Sequence, residues 1–239
     1  MWRHYMHRVF SENKKLTENK RYEIKMVFDR LRLEEVRSWV LSHTHSFRTA
    51  FPPRRVNNIY FDTQDFDFLT AHANGVSERA KLRFRWYGEN WIAENGQLEI
   101  KKKSANLGNK YIHSIQGTVD ISRSNWREIR QFLKSKSPDK FKFLLNNTAP
   151  VLINFYDREY FVSFDGSVRL TLDYKLRAFG QAFGLMPNID RPQPLKNVVV
   201  IEMKADASFH QKIADALAEF PLYCSAFSKF LTGIENVHK

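Results

Sequence analysis

Along several short segments apolar residues alternate with charged ones, a period of two that predicts β-strands with one apolar and one charged face. In Arg21–Met26, the set Arg21, Glu23 and Lys25 alternates with Tyr22, Ile24 and Met26. In Lys81–Tyr87, the set Lys81, Arg83 and Arg85 alternates with Leu82, Phe84 and Trp86. Glu99 and Lys101 oppose Leu98 and Ile100, and Arg169, Thr171 and Asp173 oppose Val168, Leu170 and Leu172. Near the end, Glu202 and Lys204 alternate with Ile201 and Met203. Asn57–Phe61, Tyr111–Val119 and Asn154–Val162 are further candidates, giving about eight short strands.

Three segments carry helical spacing: Leu33, Val36 and Val40 after Asp29; Trp126, Ile129 and Leu133 after a Ser124 cap; and Phe209, Ile213, Leu217 and Phe220 after Ser208. Each has one apolar face, which predicts helices packed on a sheet. Strands with helices inserted between them predict an antiparallel α+β fold, not an α/β alternation. Gly and Pro in Arg177–Lys196 predict a long loop. His43 and His45, two apart after a helix, predict a solvated pair.

Charged residues on one face of a sheet ordinarily point at water. If the sheet closes, several charged faces converge on one axis, where cations about 6 Å apart repel by about 3 kcal/mol at an effective dielectric of 20. Such a lining needs an anion. A chain of phosphates suits it, because each phosphate accepts several hydrogen bonds, Arg offers a fork and Lys a point charge. The formal charge of +12, from 38 Lys+Arg against 26 Asp+Glu, also calls for anionic partners. Glu23, Glu99 and Glu202 on the same faces are poor phosphate ligands. They suit Mg²⁺ or Mn²⁺, or serve as ion-pair partners for neighbouring Lys and Arg.

Composition narrows the picture further. Twenty Phe, nine Tyr and five Trp against nine Gly and eight Pro predict a packed chain with one domain over 21–239, preceded by an N-terminal extension over 1–20. No apolar run approaches the roughly 20 residues of a membrane span, and the basic N-terminus has no apolar signal region after it, so a cytoplasmic protein is expected. The single Cys224 excludes an intrachain disulfide and a multi-cysteine zinc site. Asp62, Asp65 and Asp67 lack the glycine and terminal Glu of a calcium loop. No Gly-rich phosphate loop is present, so ATP, if bound, is held by side chains.

Eight segments, in this order, carry a resemblance: Arg21-Tyr-Glu-Ile-Lys25, Ile59-Tyr-Phe-Asp62-Thr63, Lys81-Leu-Arg83-Phe-Arg85-Trp-Tyr-Gly88, Glu99-Ile-Lys101, Tyr156-Asp-Arg158, Val168-Arg169-Leu-Thr-Leu-Asp173, Ile201-Glu202-Met-Lys204 and Phe227-Ser228-Lys229-Phe-Leu-Thr-Gly233. Together they resemble the triphosphate tunnel metalloenzymes, and within them the polyphosphate-polymerase (VTC) domain of the vacuolar transporter chaperone. The resemblance implies a closed, eight-stranded antiparallel β-barrel with flanking helices. It implies that Lys25, Arg83, Arg85, Lys101, Arg158, Arg169 and Lys229 line the tunnel and act on phosphates, with Arg21, Lys81, Lys204 and Ser228 as further phosphate-binding candidates. It implies that Glu202 holds the metal, with Glu23 and Glu99 as additional candidates.

Eukaryotic members transfer the γ-phosphate of ATP to a growing polyphosphate chain. The resemblance therefore implies a polyphosphate polymerase using ATP, polyphosphate or triphosphate with Mn²⁺ or Mg²⁺. Glu23, in an Arg-x-Glu-x-Lys arrangement, stands nearer the acidic first-strand motif of the hydrolase branch, and neither the fused domains nor the membrane segments of the eukaryotic polymerase are expected from these residues. A tripolyphosphatase or nucleoside triphosphatase, and a non-catalytic polyphosphate or inositol-phosphate sensor, are the alternatives. Association with a membrane partner protein stays open. A nucleic-acid partner is disfavoured, since the basic residues alternate into an interior instead of forming one run.

Overall fold

The computed structural model describes residues 21–104, 107–181, 184–195, 197–218 and 227–237. The strands are β1 (Arg21–Asp29), β2 (Arg48–Asp62), β3 (Arg79–Tyr87), β4 (Ile92–Glu94), β5 (Gln97–Ser104), β6 (Leu107–Ser114), β7 (Thr118–Asp120), β8 (Ala149–Val162), β9 (Val168–Gly180), β10 (Gln193–Pro194) and β11 (Val198–Asp206). The helices are α1 (Leu33–Ser42), α2 (Asp67–Ala73), α3 (Trp126–Ser135), α4 (Asp139–Asn146), α5 (His210–Ala218) and α6 (Lys229–Val237).

Eight strands pair along one path, β1-β11-β9-β8-β2-β3-β5-β6, with β10 beside β9; β4 and β7 form a separate ribbon. All these pairings are antiparallel. The closed barrel expected from the sequence is corrected here: among the described residues β1 and β6, the ends of the path, do not pair, and the sheet is an open, curled half-barrel. After β6 the chain turns away through Gly117, at a φ of 107° that favours glycine, and places β7 on β4. The curl still brings the two edges near each other, since Lys101 Nζ on β5 lies 3.8 Å from Glu23 Oε2 on β1.

The alternation sorts side chains between two faces. On the convex face, Ile59, Leu82, Phe84, Trp86, Leu98 and Ile100 are buried with Ile129 and Leu133 of α3 and Phe141 and Leu144 of α4. Further along the convex face, Met26, Leu170, Leu172, Ile201 and Met203 are buried with Val36 and Val40 of α1 and Ile213 of α5. Burying each such side chain contributes about 1.5–3 kcal/mol, so the helices are fixed by their apolar stripes. The cap of α3 is Asn125, not Ser124: Asn125 accepts from Glu128 N, and Glu128 accepts from Asn125 N in return.

The concave face is covered in part by α6, whose Phe230 and Ile234 are buried with Tyr60, Leu152, Leu176, Ala178 and Val200. Gly233 permits this approach, because a Cβ there would stand 2.6 Å from Leu152 Cδ2. Where α6 covers the concave side, strands are apolar on both faces, hence the runs Met26-Val27-Phe28 and Val199-Val200-Ile201. Beyond that cover the concave side turns charged.

Other expectations are revised by the pairing. The expected strand Tyr111–Val119 divides at the Gly117 turn into β6 and β7. The expected loop Arg177–Lys196 is partly sheet, with β9 running to Gly180 and β10 returning onto it. His43 is buried rather than solvated: its Nε2 lies 3.3 Å from Ala216 O on α5, and its Nδ1 accepts from His45 N at 2.9 Å. Phe220 and Cys224 lie outside the described residues. Asp62, fully buried at the end of β2, accepts from Thr63 N, Phe68 N and Leu69 N at 2.8–2.9 Å, which ties α2 to the sheet. Burial, opposed by these bonds, pushes its carboxyl up to about 6.

Candidate functional site

The charged concave wall is built by strand register. Lys25 on β1 stands opposite Glu202 on β11, which stands opposite Thr171 on β9; Glu23 stands opposite Lys204, and Lys204 opposite Arg169. Lys25 Nζ is 2.5 Å from Glu23 Oε1 and 3.2 Å from Glu202 Oε1. Lys204 Nζ is 2.9 Å from Glu202 Oε2, and Arg158 Nη2 on β8 is 3.9 Å from the same oxygen. Asp173, fully buried, accepts from Arg158 Nε at 2.6 Å and pairs with Lys229 Nζ at 2.7 Å. Lys229 opens α6, so the helix delivers its ammonium to the sheet.

Electrostatics follows from this packing. Burial opposes ionisation of Glu202, yet the hydrogen bond with Glu23 and the charges of Lys204, Lys25 and Arg158 outweigh it and hold the carboxyl well below the usual range. Asp173 is likewise penalised by burial and held low by Arg158 and Lys229. Lys25 is raised: burial lowers it, and Glu202 and Glu23 more than offset that.

The other half of the wall comes from β3, β5 and β6. Arg83 stands between Tyr60 and Glu99 in register, and donates to Glu99 Oε2 at 2.7 Å and to Tyr60 Oη at 3.3 Å. Lys110 Nζ on β6 is 2.8 Å from Glu99 Oε2, and Arg85 Nη1 is 3.7 Å from Glu99 Oε1. Arg85 also donates to Asn58 Oδ1 at 2.8 Å and to Tyr156 Oη at 3.1 Å. Glu99 is buried, which alone would raise it, but Arg83, Arg85 and Lys110 bring it down to about 2. Lys81 donates to Ser228 Oγ at 3.0 Å, just ahead of α6.

The structure thus gathers Lys25, Lys101, Arg158, Lys204 and Lys229 with Glu23, Glu202 and Asp173 in one set of ion pairs, and Arg83 and Arg85 with Glu99 in another. Lys81 and Ser228 sit beside α6. Arg169 lies on the same face but is exposed, at the rim. Arg21 begins β1, in register with Asp206.

Among the described residues no three His, Cys, Asp or Glu side chains group to hold an ion. Each of the three carboxylates expected at a metal is ion-paired: Glu23 to Lys25, Glu202 to Lys204 and Lys25, and Glu99 to Arg83 and Lys110. Glu23 and Glu202 stand close enough to share Lys25 and Lys204 as partners, and their oxygens are the donor type that a divalent cation takes. Mg²⁺ is suited to one or two carboxylates completed by phosphate oxygens and water.

Several contributors carried no role in the sequence reading. Asp173 and Tyr156 stand inside segments already singled out, and Asp173 continues the period of two from Arg169. Lys110 follows the alternation of β6. Tyr60 and Asn58 gave only the signal of polar groups on a strand otherwise apolar. His72 on α2, 3.0 Å from Lys81 Nζ, gave none.

A family model described as the VTC domain matches residues 20–238. Among solved structures, a candidate adenylate cyclase of Bacillus halodurans superposes with a TM-score of 0.51 at 14% identity, over 86% of this chain and 92% of that one. A candidate adenylate cyclase of Vibrio parahaemolyticus gives 0.48 at 12% identity, over 89% and 96%. A candidate adenylyl cyclase of Hippeastrum with a dominant triphosphatase activity gives 0.46 at 15%, over 87% and 92%. No curated protein matches the sequence. The first of these likenesses shows that the two chains share a fold.

Proposed function

The chain belongs to the VTC-domain family, and we propose that it is a metal-dependent phosphotransferase that extends polyphosphate with the γ-phosphate of ATP. The observation that carries this reading is the concave wall itself, where Lys and Arg side chains outnumber the carboxylates Glu23, Glu99, Glu202 and Asp173. The surplus charge is met by a ligand with several phosphates.

Arg83, Arg85, Arg158 and Lys229 would hold the phosphate chain and neutralise charge that develops as the phosphoryl group moves. Their own carboxylate and phenol partners fix the side chains beforehand, so little reorganisation is needed at reaction. Ser228 and Lys81 would position a phosphate at the start of α6, and Lys101, Lys204 and Arg169 would guide the chain towards the rim. Glu202 and Glu23 would hold Mg²⁺ or Mn²⁺, which supplies polarisation of phosphate oxygens when bound. Glu99 would orient Arg83 and Lys110 instead of binding metal.

One observation favours a triphosphate hydrolase as second reading: the sheet is open between β1 and β6, which admits water beside the Glu23–Lys101 contact. The two readings separate in one assay. Purified protein is incubated with ATP and Mn²⁺ or Mg²⁺, and ADP, polyphosphate and free phosphate are resolved over time. The expected result is ADP with lengthening polyphosphate. Free phosphate without polymer assigns the hydrolase. Saturable polyphosphate binding with no product at all would overturn the enzyme reading in favour of a sensor.

A further inference from the structure

Each cation of the concave wall that lies near its centre has a carboxylate within ion-pair distance: Lys25, Arg83, Arg85, Arg158, Lys204 and Lys229 all do. Lys81 has none among the described residues. Its Nζ is 3.0 Å from Ser228 Oγ and 3.0 Å from His72 Nε2, two neutral groups. The groups that face it from the packed elements are Arg79 and Arg83 on its own strand, Lys101 on β5, Lys25 on β1, His72 on α2 and Ser228 before α6. The carboxylates of this region, Glu23 and Glu99, are bonded to Lys25, Arg83 and Lys110.

The hydrogen bonds constrain the proton count. If Lys81 is an ammonium, it donates to His72 Nε2, and the ring hydrogen must sit on Nδ1. Among the described residues that atom is buried without a partner, so a donor is stranded. If Lys81 is a neutral amine, His72 Nε2–H donates to it and Nδ1 keeps only a lone pair. The second arrangement strands no donor. Burial and the surrounding cations act in the same direction, bringing Lys81 down to about 7 and His72 down to about 4.

We propose that Lys81, Ser228 and His72 form a proton-coupled phosphate subsite, in which an arriving phosphate group is met by an amine that takes up a proton from solvent as it binds. The inference rests on the phosphate-binding reading above and adds its regulation. A unit negative charge about 4 Å from Nζ, at an effective dielectric of about 20, shifts the protonation equilibrium by about three powers of ten. The amine that is largely neutral at pH 8 in the free site is therefore an ammonium in the complex. Ser228 Oγ, which already accepts from Leu231 N and from Lys81, keeps its hydroxyl hydrogen for a phosphate oxygen.

The test is titration calorimetry with tripolyphosphate at fixed Mg²⁺, at pH 6 to 9, in buffers of different ionisation enthalpy. At pH 8 the wild-type protein is expected to take up about one proton more than Lys81→Arg, whose charge is fixed. Its affinity should fall by up to about tenfold per pH unit above 7 relative to that variant. Lys81→Gln, with no charge to gain, should show the same reduced proton count and weaker binding at pH 6. His72→Gln should keep the uptake. Equal proton counts in wild type and both Lys81 variants would overturn the proposal while leaving phosphate binding intact. Uptake lost in His72→Gln but kept in the Lys81 variants would move the proton to the ring and overturn the assignment. No binding of tripolyphosphate by wild type at any pH would overturn the phosphate reading and the subsite with it.

Discussion

The two halves of the concave wall are balanced differently. On β1, β8, β9 and β11, with α6, the cations Lys25, Lys204, Arg158 and Lys229 are matched by Glu23, Glu202 and Asp173. On β3, β5 and β6, Arg83, Arg85 and Lys110 share Glu99, Lys101 reaches across to Glu23, and Lys81 is hydrogen-bonded to neutral His72 and Ser228 with cations around it. The first half sets three carboxylates against four cations and is largely compensated within the protein, which holds its side chains in place. The second is short of negative charge, which a ligand must bring. In the proposed reading a metal ion would sit in the first half and phosphate in the second.

The comparison is broken most severely at Asp173. Asp173→Ala leaves Arg158 and Lys229 buried without their counter-charge, and urea denaturation should show a loss of about 3–5 kcal/mol. A loss below about 1 kcal/mol would mean that the first half is not held by its ion pairs. Glu202→Gln removes a charge and leaves the shape. Steady-state assays should show turnover reduced about 100- to 1,000-fold, with polyphosphate binding retained; unchanged turnover would count against a metal at Glu202.

In the second half, Arg83→Ala should weaken tripolyphosphate about 10- to 100-fold, the range of a charged hydrogen bond worth about 1.5–3 kcal/mol. Glu99→Gln sharpens the contrast, because it deepens the shortage of negative charge: anion affinity should rise while stability falls. Glu99 is depressed from 4.5 to about 2, so its contribution to stability is present above about pH 4.5 and disappears as pH falls towards 2. Acid unfolding of Glu99→Gln should lack that limb. Lys101→Ala, at an exposed side chain 3.8 Å from Glu23, should change stability by less than about 1 kcal/mol.

The charged alternation made Glu23, Lys25, Arg83, Arg85, Glu99, Glu202 and Lys204 legible before any coordinates, because period two dictates a common face. Which charges pair was not legible. Glu99 is taken by Arg83 and Lys110, a choice made by the register of β3, β5 and β6 that its residue type did not announce. Closure was illegible for a related reason: the β1–β6 seam lies between strands about 80 residues apart, and no local signal reports whether they meet. Asp62 and His72 illustrate a third limit. One fixes α2 through three backbone bonds and the other rides on that helix, so the site role of His72 depends on a helix of seven residues that no apolar period announced. Among the described residues no helix is long and apolar enough to cross a membrane.

The position of α6 has a consequence for traffic. Its apolar body occupies the concave space on one side of the charged cluster and is seated there by Gly233 against Leu152. A linear anion bound as proposed would run up against the start of α6 at Ser228. If units are added at that end, the whole strand has to slip outwards by one repeat each time, as cord is paid out from a fixed stop, and the rim residues become the exit.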